Sequence, residues 1–274
     1  MGNNHKNIIF AAVKNLEHII EPIHTELALF EAFFEATLKA ETEPMNTIMQ
    51  YVHETKGKRL RPILVLLSAK MFGEVNKQTL RAATFVEMIH SATLIHDDVV
   101  DDSNERRGQS SVKTHFGNLS AVLAGDYLLA KAMLLIANDA DILNEILTTT
   151  AAMSEGELMQ NSNIRLPQCD SPTNQYLDII TRKTALLMRS CCVAGALSVN
   201  ATEEQIRQIA DFGLKFGILF QLRDDILDTE NAEEAQTFLP VYREKALQSL
   251  ESFDGNKIAE VLRELTVFCA ERRE

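Results

Sequence analysis

The sequence predicts an all-α protein, a single bundle of long antiparallel helices. Apolar residues recur with a period near 3.6 along most of the 274 residues, and no segment shows the alternation typical of a half-buried strand. Only 11 glycines and 6 prolines interrupt the chain, so the predicted helices are long. The apolar content of 46% is enough for one large core, although two smaller domains also fit this length.

The boundaries of the predicted helices follow from prolines, turns and the ends of the apolar periodicity. Pro22 divides the first segment, and Pro62 suits the first turn of the next apolar helix. The predicted helices are residues 5–40 (one or two helices), Met45–Glu54, Pro62–Met71, Lys77–Val100, Leu119–Asn138, Ile142–Asn161, Asn174–Val199, Glu203–Asp228, Ala232–Phe253 and Lys257–Arg273. The predicted turns and loops are Gly73–Asn76, Asp101–Gly108 and Pro167–Pro172.

Charge and cysteine content exclude several classes of protein. The chain has 39 acidic and 27 basic residues, a net charge of −12, which argues against a nucleic-acid partner. Its four cysteines form no CxxC pair and are predicted to be reduced core thiols: Cys169, Cys191, Cys192 and Cys269. No apolar run reaches the roughly 18 residues of a transmembrane segment. Met1–Phe10 lacks a signal-peptide pattern, and Lys6 departs from a myristoylation motif, so we expect a cytoplasmic protein.

Two aspartate clusters are the most unusual feature of the chain. They are Asp97-Asp98-Val99-Val100-Asp101-Asp102 and Asp224-Asp225-Ile226-Leu227-Asp228, and each follows a long apolar segment. In a helix, the first and last aspartates of each DDxxD motif share a face, where their like charges repel. Carboxylates suit hard cations such as Mg²⁺, which leaves coordination positions for phosphate oxygens. We therefore predict a Mg²⁺–diphosphate site between two facing helices.

Basic residues near the first cluster support this interpretation. Arg106 and Arg107 follow it closely, and adjacent guanidinium groups offer forked donors for phosphate oxygens. Lys58, Arg59 and Arg61 add positive charge in a turn earlier in the chain. Carboxylates and arginines together are typical of a metal-bridged diphosphate site rather than of a general acid–base pair.

At these positions the chain resembles the trans-type polyprenyl diphosphate synthases of the long-chain bacterial type. The matching motifs are Gly57-Lys58-Arg59-Leu60-Arg61-Pro62, the first DDxxD with Arg106-Arg107-Gly108, Arg182-Lys183-Thr184, and Phe220-Gln221-Leu222-Arg223 followed by the second DDxxD. They occur in the family's order over roughly residues 45–228. The resemblance implies the isoprenoid synthase fold, in which a single domain of residues 1–274 surrounds a central cavity, and it implies a homodimer.

The resemblance also implies roles for individual residues. Asp97 and Asp101 would hold two Mg²⁺ ions, with Mn²⁺ as a substitute, and Asp224 would hold a third. The residues expected in support are Asp98, Asp225 and Asp228, the last as a further metal ligand. The residues expected at the allylic diphosphate are Arg106, Lys183 and Gln221. The residues expected at isopentenyl diphosphate are Lys58, Arg61, His90 and Arg107. Thr184 and Gln160 would line the site. The groups expected to act in catalysis are Asp97, Asp98, Asp101, Lys183, Asp224 and Asp225.

The implied reaction is a head-to-tail condensation of isopentenyl diphosphate with an allylic prenyl diphosphate. The allylic C–O bond ionises with the help of Mg²⁺, and the double bond of isopentenyl diphosphate attacks the carbocation. A proton then leaves, and apolar helices exclude water from the cation. The absence of Trp and the aromatic content of 6% favour an aliphatic tunnel over an aromatic cavity. A peripheral contact with a membrane would suit the release of such a product.

A stripe on the helix before the first cluster predicts the product length. Ala92, Ile89, Met88 and Phe85 share one face over about 10 Å of helix. Because Ala92 is small, we expect the tail to pass that level and the product to be longer than farnesyl, with Phe85 as the floor. An Ala92→Phe or Ala92→Tyr variant should then shorten the product.

The chain departs from the family after Asp228. The family continues there with a lysine- and glycine-rich segment that ends in a Thr-Leu-Pro-like turn, whereas this chain runs directly into Asn231-Ala232-Glu233. A stretch of several dozen residues is absent near 230–231, and a shorter gap affects Leu166–Thr173. Because the flanks match the family on both sides, we favour missing residues over a natural deletion. A real deletion would remove a lysine that closes over diphosphate.

Three other functions fit parts of the pattern. A class I terpene synthase uses only the ionisation half, but it does not need the Lys58, Arg61 and His90 set. A non-catalytic prenyltransferase-like subunit would be favoured if the deletion is real. A ferritin-like di-iron protein would use two ExxH spacings, Glu21–His24 and Glu87–His90, but Pro22 interrupts the first.

Overall fold

The structure is a computed structural model that describes residues 16–55, 57–162, 171–229 and 231–273. The all-α prediction is confirmed. Four sequence-based predictions lie wholly or partly outside the described residues. They concern the first part of the segment 5–40, the signal-peptide and myristoylation patterns near the N-terminus, the loop Pro167–Pro172 with its shorter gap, and the environment of Cys169.

The described residues form helices joined mostly by short turns. In the first half these are α1 (Leu16–Ile19), a 3₁₀ turn (Glu21–Ile23), α2 (His24–Leu38), α3 (Glu43–Glu54), α4 (Leu60–Phe72), α5 (Lys77–Val100), β1 (Glu105–Arg106), β2 (Gln109–Ser110), α6 (Val112–Phe116) and α7 (Asn118–Ile136). In the second half they are α8 (Ala140–Ser162), α9 (Pro172–Ile180), a π-helical segment (Thr181–Ala185), α10 (Leu186–Leu197), α11 (Glu203–Leu227), α12 (Ala232–Gln248), a 3₁₀ turn (Glu251–Phe253) and α13 (Lys257–Glu271).

Side-chain caps fix the starts of the two helices that carry the aspartates. Asn76 caps α5, because its Oδ1 accepts hydrogen bonds from the backbone N–H groups of Gln78 and Thr79 at 2.8 and 3.1 Å. Thr202 caps α11 and exchanges hydrogen bonds with Gln205 in a capping box. These caps set the helical register, which determines the face on which each aspartate lies.

The main core lies around α5, which contacts α2, α4, α6, α7, α8 and α10. Its largest fully buried side chains are Phe30, Phe34, Phe85, Phe212, Phe216, Ile23, Met49, Ile63, Leu64, Leu66, Leu67 and Met88. A second, smaller cluster joins α9, α11 and α12 around Tyr176, Ile180 and Leu222. Cys191, Cys192 and Cys269 are buried free thiols, as predicted for core cysteines.

Three local features differ from the sequence-based prediction. The predicted loop Asp101–Gly108 contains β1, which pairs with β2 in a short antiparallel hairpin. Two residues turn this hairpin, Arg107 and Gly108, with φ of 55° and 73°, as a type I′ turn requires. The predicted helix Asn174–Val199 is divided by the π-helical segment, and α6 was not predicted. These elements are too short to leave a periodic pattern in the sequence.

Helix α7 has an unusual apolar surface. By length and composition it is the one helix among the described residues that could cross a membrane, and 33% of its apolar segment is buried. Asp126 and Lys131 interrupt its apolar run, which is why the sequence showed no continuous span. Its exposed large apolar side chains are Leu119, Val122, Leu123, Met133 and Leu134.

Candidate active site

Both aspartate clusters lie at the carboxyl ends of helices. Asp101 is the C-cap residue of α5 and Asp228 is the C-cap residue of α11. Their backbone N–H groups donate to the carbonyl oxygens of Asp97 and Asp224 at 2.8 and 2.9 Å. The macrodipole places partial negative charge at this end of a helix, so carboxylates there are disfavoured unless a cation is near. Both helix ends are therefore suited to cation binding.

Two adjoining cavities separate the predicted residues into two groups. The first cavity, about 760 Å³, is lined by Asp224 and Asp228 and by five residues predicted to bind diphosphate: Lys58, Arg61, His90, Arg106 and Arg107. The second, about 420 Å³, is lined by Asp97, Lys183 and Thr184. Arg61 and His90 line both cavities. The two clusters, distant in sequence, thus contribute Asp97 to one cavity and Asp224 and Asp228 to the other.

The first cavity is strongly cationic and incompletely hydrogen-bonded. Three buried guanidinium N–H groups on its wall have no hydrogen-bond partner among the described residues: Arg59 Nη2, Arg61 Nε and Arg272 Nε. A buried donor without a partner costs roughly 1–3 kcal/mol. Burial also lowers the pKa of Arg61 and of Arg107, which reflects poor solvation of their charges. An anion with several oxygens would satisfy these groups.

His90 is neutral in this setting. Burial, followed by the charge of Arg61, holds the pKa of His90 well below its usual value. Arg61 Nη1 donates a hydrogen bond to His90 Nε2 at 2.8 Å, which leaves the ring proton on Nδ1. His90 therefore orients Arg61 between the two cavities without adding positive charge.

We call the β1–β2 hairpin, which carries Arg106 and Arg107, the arginine hairpin. It lies close to the basic turn that contains Lys58, Arg59 and Arg61. Arg107 Nη1 donates to the backbone oxygen of Thr55 at 3.1 Å, and its guanidinium crosses directly over Gly57. A Cβ on Gly57 would lie 2.4 Å from Arg107 Cζ, so only glycine permits this approach. Arg59 and Arg107 both have left-handed backbone conformations, with φ of 53° and 55°. Such strain is concentrated at functional sites in proteins.

Lys183 lies between the two clusters. Burial and then Glu157 raise the pKa of Asp97 to about 6, whereas the charge of Lys183 lowers it. Burial also raises the pKa of Asp225, and Lys183 again acts in the opposite direction. Lys183 Nζ lies 3.0 Å from Glu157 Oε2 and donates to Gln160 Oε1 at 2.9 Å. Lys183 therefore lines the second cavity together with Asp97, whereas Gln160 contacts Lys183 but lines neither cavity.

Two aspartates of the clusters, Asp98 and Asp225, bind other side chains and line neither of these two cavities. Asp98 is buried, and its Oδ1 accepts a hydrogen bond from Arg106 Nε at 2.9 Å. Asp225 is buried between Tyr176 and Gln221, which donate to its two oxygens at 2.6 and 2.7 Å. Their direct contacts are thus with protein groups that flank the site.

Several other residues that were predicted for the site line neither of the two cavities. Asp101 is exposed at the end of α5, and Gln221 lines neither cavity. The stripe Ala92, Ile89, Met88 and Phe85 is fully buried in the main core and also lines neither cavity. The residues of α5 that do line the second cavity are His90, Thr93, Leu94, His96, Asp97 and Val100.

Two residues of the site, Arg272 and Glu87, were not predicted for it from the sequence, where Glu87 appears only in the di-iron alternative. Arg272, just after α13, forms an ion pair with Asp224 and lies 4.3 Å from the centre of the Phe220 ring. Glu87 is buried and accepts a hydrogen bond from Arg59 Nη1 at 2.6 Å. Arg272 has no local motif, but Glu87 could have been found because a charged residue interrupts the apolar face of α5.

The described residues fit divalent ions only in combination with a ligand. No group of three or more metal-binding side chains is preassembled within 16–55, 57–162, 171–229 and 231–273. Mg²⁺ commonly takes one or two carboxylates and completes its shell with phosphate oxygens and water. The raised pKa of Asp97 and the position of both clusters at helix carboxyl ends favour a cation there. The residues therefore fit Mg²⁺ bound together with a diphosphate.

Fold and site together define an all-α protein with two acidic helix ends beside a cavity lined by several arginines. The sequence model of the polyprenyl synthetase family matches residues 42–237. The chain is 36% identical over 195 residues to octaprenyl diphosphate synthase of Haemophilus influenzae, covering 70% of this chain and 59% of that protein. It is 37% identical over 204 residues to farnesyl diphosphate synthase of Bacillus subtilis, covering 68% and 67%. The chain belongs to the polyprenyl synthetase family.

A solved structure supports the fold over nearly the whole chain. The polyprenyl synthase of Caulobacter crescentus, crystallised with calcium and isoprenyl diphosphate, superimposes with a TM-score of 0.86 at 24% identity. The match covers 96% of this chain and 100% of that one. By contrast, the chain spans only about three fifths of the length of the Haemophilus influenzae relative, 59%.

Proposed function

We propose that the protein is a Mg²⁺-dependent trans-prenyltransferase that condenses isopentenyl diphosphate with an allylic prenyl diphosphate. The observation that carries the proposal is the pair of cavities that share Arg61 and His90. One cavity offers mainly cations and the other an aspartate, a lysine and apolar side chains. Such a pair suits two diphosphate substrates whose reactive carbons must meet.

The first cavity suits isopentenyl diphosphate. Its guanidinium groups include buried donors that have no partner within the described part of the chain, and the oxygens of a diphosphate would satisfy them. Arg61 is oriented by His90, and Arg107 is held over Gly57, so these donors are fixed before the substrate binds. This preorganisation lowers the entropic cost of binding.

The second cavity suits the allylic substrate. Asp97, Lys183 and Thr184 are polar residues of its wall, and Leu94, Met153 and Leu158 are apolar residues of its wall. A prenyl tail would contact the apolar residues while its diphosphate lies at the polar ones. The same apolar wall would exclude water from a developing carbocation.

The metal ligands in this proposal are Asp97, Asp101, Asp224 and Asp228. Mg²⁺ bound there would neutralise charge on the departing diphosphate and thereby assist cleavage of the allylic C–O bond. The chain's own residues orient the two substrates, exclude water and hold the diphosphates with Lys183, Arg61 and Arg107. The proton lost after attack by isopentenyl diphosphate would pass to the released diphosphate.

We further propose a product longer than farnesyl and a location in the cytoplasm. The Haemophilus influenzae relative carries the name of an octaprenyl diphosphate synthase, whereas the Bacillus subtilis relative is named a farnesyl diphosphate synthase. The short side chain of Thr93 on the wall of the second cavity favours the longer product. Peripheral contact with a membrane would assist its release.

We also propose that α7 forms the interface of a homodimer. Leu119, Val122, Leu123, Met133 and Leu134 lie exposed on this helix, and a contiguous exposed apolar surface marks an interaction site. A second copy of the chain would cover an identical surface by two-fold symmetry. Leu134→Glu should shift the protein to monomers in light-scattering measurements. Leu29→Glu, on the exposed side of α2, is the matched control and should not.

The direct test uses isopentenyl diphosphate, farnesyl diphosphate and Mg²⁺, with and without a chelator, followed by product sizing. Chelator-sensitive products longer than farnesyl support the proposal. Turnover of the allylic substrate alone would indicate a terpene synthase, and no turnover would indicate a non-catalytic subunit. Asp224→Asn should abolish most activity. Asp211→Asn, an exposed aspartate on the same helix, should not.

The junction after Asp228 bears on whether the protein is a non-catalytic subunit. Thr229 and Asn231 have left-handed conformations, and α12 begins immediately afterwards at Ala232. We retain the proposal that residues are missing near 230–231 from a single domain of residues 1–274. An intact mass well above 30.7 kDa would support it, whereas a mass of 30.7 kDa would indicate a natural deletion.

A further inference from the structure

A chain of hydrogen bonds connects α9 to the wall of the second cavity. Tyr176 Oη donates to Asp225 Oδ2 at 2.6 Å, and Gln221 Nε2 donates to Asp225 Oδ1 at 2.7 Å. Thr184 Oγ1 then donates to Gln221 Oε1 at 2.6 Å. Of these four side chains, only Thr184 lines a cavity of the site.

The direction of each hydrogen bond follows from the donors that are available. An ionised carboxylate only accepts, so Gln221 must turn its amide nitrogen towards Asp225. Its carbonyl oxygen then faces Thr184, and the single hydroxyl proton of Thr184 is used in that bond. At the cavity Thr184 can therefore only accept a hydrogen bond, from a cationic group or from water.

Tyr176 is held firmly at the start of this chain. Its ring lies in the smaller core cluster with Ile180 and Leu222, and the side chain is 8% exposed. Burial and then the hydrogen bond to Asp225 raise the pKa of Tyr176, so the phenol remains a donor. The neighbouring π-helical segment, Thr181–Ala185, carries Lys183 and Thr184 to the cavity, and π-helical turns occur frequently at functional sites.

We propose that Tyr176 is a positioning residue for the allylic substrate, an inference that rests on the proposed function. Without the phenol, Asp225 Oδ2 would be left buried with one partner fewer, and the carboxylate could rotate. The amide of Gln221 would then no longer be held in one orientation. The Thr184 hydroxyl would in turn lose the oxygen that accepts its hydrogen bond. The effect would reach the allylic cavity and leave the isopentenyl diphosphate cavity unchanged.

The test compares Tyr176→Phe with Tyr242→Phe. Tyr242 packs against the same core cluster and forms a cation–π contact with Lys245, so its variant removes an equivalent hydroxyl outside the chain of hydrogen bonds. We expect Tyr176→Phe to lower kcat/KM for the allylic substrate about ten-fold, as for one lost hydrogen bond to a charged group. The KM for isopentenyl diphosphate should match that of Tyr242→Phe, whereas the thermal midpoint of Tyr176→Phe should be lower, because a buried carboxylate loses a hydrogen bond.

Binding measurements separate failure of this inference from failure of the proposed function. Calorimetric titration of Mg²⁺ with inorganic diphosphate into wild type and both variants requires no turnover. Weaker binding by Tyr176→Phe alone supports the positioning role even if no prenyl transfer occurs. Equal kinetics and equal diphosphate binding for the two variants would overturn it, as would a kinetic defect confined to isopentenyl diphosphate.

Discussion

Arg106 and Asp98 form an ion pair that joins the arginine hairpin to the end of α5. Arg106 Nε lies 2.9 Å from Asp98 Oδ1, and Asp98 is 2% exposed. Asp98 thus holds Arg106 in place at the wall of the first cavity. One cluster therefore contains a buried carboxylate that anchors an arginine, Asp98, and an exposed carboxylate, Asp101.

Asp98→Asn should therefore weaken both stability and substrate binding. The amide removes the charge that pairs with Arg106, and we expect the free energy of unfolding to fall by about 1–3 kcal/mol. Denaturant titration would measure the loss, and kinetics should show a raised KM for a diphosphate substrate. Glu74→Gln, an exposed neutralisation outside the site, should leave both within error. An unchanged KM in Asp98→Asn would contradict the anchoring role.

The acidity of Asp97 predicts a pH-dependent stability. Burial and Glu157 raise its pKa from 3.8 to about 6, so the folded protein without metal binds a proton more tightly than the unfolded chain. That contribution to stability is full below about pH 4 and disappears as the pH rises through about 6. Asp97→Asn should therefore stabilise the metal-free protein at pH 7.5 but not at pH 4.

The measurement is denaturant unfolding of wild type and Asp97→Asn across this range, in the presence of chelator. The stability difference between the two proteins should shrink as the pH falls from 7 to 4. A difference that is constant with pH would show that Asp97 titrates normally. Mg²⁺ binding to wild type in the presence of inorganic diphosphate should weaken as the pH falls below about 6, because the carboxylate must be ionised.

The helices were predictable because each has a strong periodic pattern and clear end signals. Lys77–Val100 was predicted with the bounds that α5 has, since Asn76 gives a cap and the aspartate cluster an end. The hairpin around Arg107 was missed because its two-residue strands have no period to detect. Its turn signal, a glycine at position 108, was read as part of a loop.

The candidate site was predictable where the chain carries motifs that resemble those of a known family. Lys58, Arg61, His90 and Arg107 were each predicted and all line one cavity. Arg272 and Tyr176 were not predicted, because their partners lie 48 and 49 residues away along the chain. Contacts of this kind depend on how α9 and α13 pack against α11, which no local pattern specifies.

Gly57→Ala should impair isopentenyl diphosphate binding without unfolding the protein. The new Cβ would lie 2.4 Å from Arg107 Cζ, and the flexible guanidinium would move away from its position over the turn. We expect the KM for isopentenyl diphosphate to rise about ten-fold, as for one charged hydrogen bond lost. The thermal midpoint should change little, because the arginine can relocate.

Gly255→Ala is the control for this variant, because it should change stability and leave the kinetics unchanged. Gly255 has a φ of 85° with no atoms near its Cβ position, and it lies in the turn before α13. Alanine there should cost about 1 kcal/mol of stability through backbone strain, with unchanged kinetics. If Gly57→Ala showed the same pattern, a lower stability with normal KM, the role of Arg107 at the cavity would be wrong.

Thr93→Phe and Ala92→Phe should separate the two candidate paths for the prenyl tail. Thr93 lines the second cavity, so a phenyl ring there would fill space that the tail needs, and the product should shorten. Ala92 is fully buried in the main core, so phenylalanine would overpack it and cost about 1–3 kcal/mol of stability. Product sizing by chromatography together with denaturant unfolding would distinguish them. If Ala92→Phe shortened the product at unchanged stability, the tail would follow the stripe towards Phe85 rather than the cavity wall at Thr93.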